Sequence, residues 1–357
     1  MRPLRLLRAQ FDAVAVLAAA LVLPGAERVA RRVRTPRLEE ELVAGMPTTV
    51  VRPASKPPWP ALVFANGATS EGRKHPLVRR LAWGFGWAGF LTYIPDLPGV
   101  ALGELTGESL DSAVSVTSEA AGSPEARGGR VALAGISTGA TLSLLTAATP
   151  ELVARVSAVA VVAPFTDLER VIMLATTGLD PGADGLERYT PPPYLLVALT
   201  RSLAATLPPG PARDELCAEL RALDGNSTSP LEPFFRRSPE QLGPEGVAVR
   251  ALLANDDPAR FDELFGAAPA AMRDAVERLT PVRTAGGLQA PTGILSAPRD
   301  NYFPLDEALA ITKIAPRARV TVTSVLGHAT PKLSVRNLGG LVALDRFIVR
   351  SLAAARS

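Results

Sequence analysis

The chain is poor in the residues that most often build metal and redox centres. It has one cysteine, Cys217, and two histidines, His75 and His328. A lone cysteine closes no internal disulfide, and no Cys-x-x-Cys or Cys/His cluster surrounds it. A cysteine-based metal site is therefore excluded, and a histidine-rich centre lacks ligands. No metal and no organic cofactor is expected. Any chemistry that needs an imidazole has two residues to draw on. Excess charge is scarce too: 38 Lys and Arg against 35 Asp and Glu leave a net charge of +3, with the arginines scattered. A basic face for nucleic acid is not indicated. There is no repeat period of a solenoid and no long low-complexity tract. What remains is an ordinary globular balance, 47% hydrophobic and 20% charged over 357 residues. That suffices for one large α/β domain with an insertion, or for two domains.

Residues 1–38 form a hydrophobic and basic leader. Arg2, Arg5 and Arg8 precede an apolar run from Ala13 to Leu23, and further arginines follow in "ERVARRVRTPR". The run is shorter than the roughly 20 residues that span a bilayer. Pro24-Gly25-Ala26 is a poor cleavage site, and arginines on both sides give no orientation. Three readings stand: a membrane-associated helix through residues 11–26, a processed export signal, or a helix packed on the domain. The first two place the protein at a membrane or outside the cell; the third leaves it cytoplasmic.

Beyond the leader, two short strands flank Gly45-Met46-Pro47. Apolar strands at 60–69 (ending in a polar, glycine-containing loop), 90–96, 130–135 and 156–165 then alternate with helical segments at "HPLVRRLAWGFGWAG", about 108–120 and "ATLSLLTAA". Short, almost wholly apolar strands between helices predict an α/β fold, a mostly parallel sheet covered on both faces. The alternation breaks over residues 166–282, where no convincing strand is found and proline and glycine separate helices. This predicts a helical cap inserted after the sixth strand, with a core at 39–165 and 283–357. Strands resume at 291–298 and 318–327, and an amphipathic helix closes the chain.

The strand "RVALAG" runs into Gly135-Ile136-Ser137-Thr138-Gly139, and a helix leaves it. Strand, tight turn and helix are the setting that a G-x-S-x-G elbow requires. Gly135 and Gly139 have no Cβ to clash across the turn, and the helix N-terminus favours developing negative charge near Ser137. A serine nucleophile needs a base. His328, after an alternating strand and a glycine, lies at the carboxyl edge of the sheet. His75 is the rival, with Arg73 and Lys74 beside it to disfavour an imidazolium. Asp300, in "SAPRDNYFP" after a strand, is the candidate acid. Asp167 is the alternative, and Asp96 reads as a turn or capping residue. "VFANGAT" follows the first parallel strand; Gly67 there lets a backbone N–H approach, and the N–H groups of Ala68 and Thr138 are the candidate oxyanion hole.

The order Ser137, Asp300, His328 is that of the α/β hydrolases. On "FANGAT", "YIPDLPG", "GISTG", "SAPRDNYFP" and "GHAT" the chain resembles the α/β-hydrolase superfamily, in its dienelactone-hydrolase-like and prolyl-oligopeptidase-like esterase branches, over roughly residues 40–165 and 283–357. Two departures stand out. Asn66-Gly67 replaces the usual His-Gly of the oxyanion loop, and Arg299 precedes the acid. The resemblance implies a carboxylesterase-like serine hydrolase acting on a small-molecule acyl substrate through an acyl-enzyme. A peptidase or thioesterase would use the same triad. A non-catalytic, membrane-associated scaffold of the same fold is the competing class. Phe234-Phe235 and Phe261 to Phe265 in the cap suggest an apolar acyl pocket, although cap helices need such residues merely to pack.

Overall fold

The computed structural model describes residues 3–20, 35–182, 185–328, 330–331 and 338–357. Eight strands form one sheet in the order β1 (Arg37–Val43), β2 (Met46–Arg52), β4 (Leu91–Pro95), β3 (Trp59–Ala65), β5 (Ala126–Ile136), β6 (Val156–Val162), β9 (Thr292–Ser296) and β10 (Ala318–Val322). β2 runs antiparallel to both its neighbours; all other pairs are parallel. Every residue of β3 is buried, as expected of a strand covered on both faces.

Twelve helices matter here: α1 (Pro3–Ala20), α2 (Pro76–Trp87), α3 (Gly107–Gly122), α4 (Thr138–Ala148), α5 (Leu168–Thr177), α6 (Pro193–Ala204), α7 (Pro211–Ala222), α8 (Pro239–Leu253), α9 (Phe261–Ala267), α10 (Ala270–Arg278), α11 (Leu305–Ile314) and α12 (Leu338–Ala355). Strand alternation sorts the core into two layers. Ala61, Val63, Val131, Leu133 and Val159 pack with α3, α4 and α11. Leu62, Phe64, Ala132, Ala134 and Ala158 face α1, α2 and α12.

Residues 3–20 of the leader form α1, which packs on the domain. Ala9, Ala13 and Val16, at helical spacing, are buried. A Cβ on Gly84 would stand 3.0 Å from Val16 Cα, so this glycine is what lets α1 approach α2. Asp12 pairs with Arg356 at 2.8 Å, and Gln10 donates to Asp345 at 2.8 Å, fastening α1 to α12. No described helix is long and apolar enough to cross a membrane. The Pro24–Ala26 motif lies outside the described residues.

The segment between β6 and β9 is mainly helical, α5 to α10, and buries its own apolar cluster against α3 and α4. One expectation fails there. A two-stranded hairpin, β7 (Leu179–Gly182) and β8 (Gly185–Arg188), follows α5. Gly178, at φ 68°, turns the chain out of α5. Arg170 then forks onto Asp180 with two bonds of 2.6 Å, which fixes the extended backbone. The phenylalanines also play the plainer part: Phe234 and Phe261 are buried in the segment's own cluster and Phe235 is exposed.

Buried polar groups stitch this segment to the core. Arg201 donates to the carbonyls of Leu102, Leu220 and Leu223 at 2.7 to 2.9 Å. Arg221 forks onto Glu104. Glu307 of α11 accepts the N–H groups of Thr166 and Asp167 at 2.7 and 2.8 Å. Burial pushes its carboxyl up from 4.5 to about 7, against the pull of those bonds and of Arg170. The neighbouring Asp167 adds to the rise. The native state therefore keeps a proton that the unfolded chain releases between about 4.5 and about 7. Stability from this group is complete below that window and falls as pH rises through it, by on the order of 3 kcal/mol. Glu307→Gln should flatten that slope in urea titrations run across the window; an unchanged slope would assign it to other groups.

The expected strand at 318–327 is also interrupted. β10 stops at Val322, and Thr323 N donates back to Ser296 O at 3.0 Å. The Thr323 hydroxyl donates to Gly340 O at 2.8 Å and accepts the Val325 N–H, which replaces ladder bonds by a turn. After that turn a two-residue strand, Leu326–Gly327, pairs antiparallel with Thr330–Pro331, and His328 stands directly after it.

Candidate active site

Three strand ends converge at the carboxyl edge of the sheet. Ser137 joins β5 to α4 with φ 53° and ψ −123°, a left-handed backbone that L-residues seldom adopt. Its N–H is anchored on Val162 O at 2.9 Å. The turn closes only because two side chains are missing. A Cβ on Gly135 would strike the carbonyl of Gly139, and one on Gly139 the carbonyls of Ala65 and Asn66.

His328 Nε2 lies 3.0 Å from Ser137 Oγ. Its Nδ1 lies 2.9 Å from both carboxylate oxygens of Asp300. A carboxylate can only accept, so Nδ1 carries the proton and Nε2 is left to accept from the serine hydroxyl. Asp300 is buried, 3% exposed, and Oδ1 also accepts the N–H groups of Tyr302 and Phe303 at 2.8 and 3.2 Å. The imidazole is held by stacking on Tyr302, centroids 4.3 Å apart, and by the edge of Phe303 at 5.4 Å. Those two aromatic clamps were not anticipated, although "DNYF" stands directly beside the acid.

The other candidates fall elsewhere. Asp167 caps α5, accepting the Arg170 N–H at 3.4 Å. Asp96 takes the Arg73 N–H at 3.1 Å and pairs with its guanidinium. His75 lines the same cleft as Ser137 but pairs at 3.8 Å with Glu71. Arg299 is exposed. Asn66 braces the loop after β3, donating to Thr69 Oγ1 at 3.2 Å and Gly72 O at 3.0 Å. That loop presses on the elbow: a Cβ on Gly67 would sit 3.0 Å from Ile136 O. Ala68 and Thr138 both line the cleft, and the Thr138 N–H opens α4, where it has no partner within the helix.

The cleft holds about 370 Å³ and draws walls from the core and from the inserted segment, including Phe165, Leu195, Leu199 and Tyr194. Among the described residues no aspartate, glutamate, lysine or arginine lines it. The Tyr194 hydroxyl is buried without a partner among the described residues, and desolvation pushes its pKa up to about 12. Sequence reasoning missed it, since nothing near "PPYLL" marks a site. Among the described residues no group of three His, Cys, Asp or Glu could hold a metal ion.

No family model and no curated protein matches the chain. Solved structures do. DphMB1 superposes on 92% of this chain and 91% of its own, with a TM-score of 0.50 and 18% identity. Dipeptidyl peptidase 4 of Porphyromonas gingivalis matches 92% of this chain at a TM-score of 0.52 and 11% identity, and acylaminoacyl peptidase of Pyrococcus horikoshii 91% at 0.50 and 14%. This chain spans 37% and 42% of those two peptidases. Likeness at such identities is a likeness of fold. The mostly parallel eight-stranded sheet, helices on both faces and these superpositions agree: the chain has the α/β-hydrolase fold.

Proposed function

We propose that the protein is a serine hydrolase that cleaves a carboxylic ester or related acyl bond through an acyl-enzyme. The observation that carries this is the unbroken hydrogen-bonded line Asp300–His328–Ser137 at the floor of an apolar cleft. Ser137 Oγ attacks the carbonyl carbon while its proton passes to His328 Nε2. The imidazolium is stabilised by Asp300, and the oxyanion by the N–H groups of Ala68 and Thr138. Collapse expels the leaving group, which takes the proton from Nε2. Water then repeats the attack, His328 again taking the proton, and the acid departs. The segment 166–282 serves as a cap whose Tyr194, Leu195 and Leu199 close the cleft. A cleft with no charged side chain among the described residues favours a neutral acyl substrate over one recognised by its charge.

A fluorophosphonate probe tests the assignment. It should form one covalent adduct, located by peptide mapping at Ser137. An adduct at another serine, or none, would overturn the proposal. p-Nitrophenyl esters should be turned over faster than matched thioesters or peptides.

A further inference from the structure

A second cavity lies behind the reactive serine, on the sheet face covered by α1, α2 and α12. It holds about 170 Å³, and Ser351 is the one polar side chain in its wall among the described residues. Its origin is legible in the strands. Ala132 and Ala134 of β5 and Ala158 and Ala160 of β6 present methyl groups to this face, where the opposite face carries Val131, Leu133, Val159 and Val161. Ala160 and Val162 keep partial exposure in the middle of the sheet because they front this space. The space is an open recess, not a sealed void, and an apolar space of about 150 Å³ is large enough for benzene.

The cavity touches the cleft of Ser137. Leu77, Leu81 and Ile136 line both spaces, and all three are half-buried. Ile136 immediately precedes the nucleophile. Resting on the proposed hydrolase chemistry, we infer that this chamber receives the acyl chain of the substrate: a medium-length, unbranched fatty acyl group attached at Ser137, passing the Leu77–Leu81–Ile136 wall into the space beneath α2. The capacity suits about six carbons, the number in the benzene that a cavity of this size admits. β6 then works as a ruler. Val162, Ala160 and Ala158 succeed one another on the chamber face, each about 6.6 Å deeper than the last. α1 contributes Val16 and Leu17 to its wall.

The test compares p-nitrophenyl butanoate with p-nitrophenyl octanoate. Wild-type protein should prefer octanoate. Ala160→Leu should cut kcat/KM for octanoate by about fourfold for each methylene excluded, and Ala158→Leu, deeper, by less, with butanoate turnover unchanged. An octanoate-to-butanoate ratio equal to wild type in both variants would overturn the inference. Calorimetry on full-length Ser137→Ala protein gives a readout that needs neither turnover nor the leucine variants to fold. Octanoic acid should bind more tightly than butanoic acid by about fourfold per added methylene; equal affinities would overturn the chamber. Absent ester turnover with retained octanoate preference in binding would instead remove the hydrolase proposal and leave the chamber standing.

Discussion

Ser137→Ala should lower kcat/KM for p-nitrophenyl esters by about 10⁶-fold, because the nucleophile and its base act as one unit. The change removes one oxygen from a half-buried turn, so circular dichroism and the urea midpoint should stay near wild type. Asp300→Asn should cost about 10⁴-fold. Asparagine offers Nδ1 an amide in place of a carboxylate, which permits the wrong tautomer and leaves Nε2 without its lone pair towards Ser137. Asp167→Asn, at the cap of α5, should alter turnover by less than about twofold, since Asn and Asp cap helices equally well. Retained activity in Ser137→Ala, or a larger loss at Asp167 than at Asp300, would refute the assignment.

Gly139→Ala should unfold the protein or leave it insoluble. The added methyl has to occupy the space of two backbone carbonyls, Ala65 at the end of β3 and Asn66 in the loop beyond it. Neither is the tip of a flexible side chain. α4 would have to lift off the centre of the sheet, taking Leu142 and Leu144, both fully buried, with it. A cost above about 4 kcal/mol is expected, in the class of severe core disruption. Gly128→Ala is the control. That glycine also has positive φ, 67°, but nothing lies within 4 Å of a Cβ placed there. Its cost should stay near the ~1–2 kcal/mol of a left-handed alanine. Chemical denaturation of the two variants, or expression yield where Gly139→Ala fails to fold, separates the effects; equal midpoints would show that the elbow tolerates a side chain.

Much of this geometry was legible in the chain. Short apolar runs such as "PALVFA" and "VSAVAVV", set between helical segments, read as strands buried on both faces, and chemistry-bearing residues placed after parallel strands gather at one edge. By that logic Ser137, Asp300 and His328 meet at one edge of the sheet. The same logic could not see the clamps on the imidazole. Tyr302 and Phe303 act through ring orientation, which local sequence does not encode. Nor could it choose between the two acids on firm ground, because Asp167 and Asp300 both follow strands; the distinction is that Asp167 begins a helix whose N–H groups claim it. The hairpin at 179–188 was hidden by an ion pair, Arg170 with Asp180, between a helix and a strand. The role of the leader depended on Gly84, a residue some seventy positions downstream, and on Arg356 near the end of the chain. Pattern reading within a window registers none of these.

Ser137 and His328 share one further property: both hold φ at 53°. Such a conformation costs a non-glycine residue about 1–3 kcal/mol. Glycine at either position would relax the backbone and remove the reacting group with the same substitution. The proposed reactive edge is thus a load on the fold, one that the rest of the core must bear.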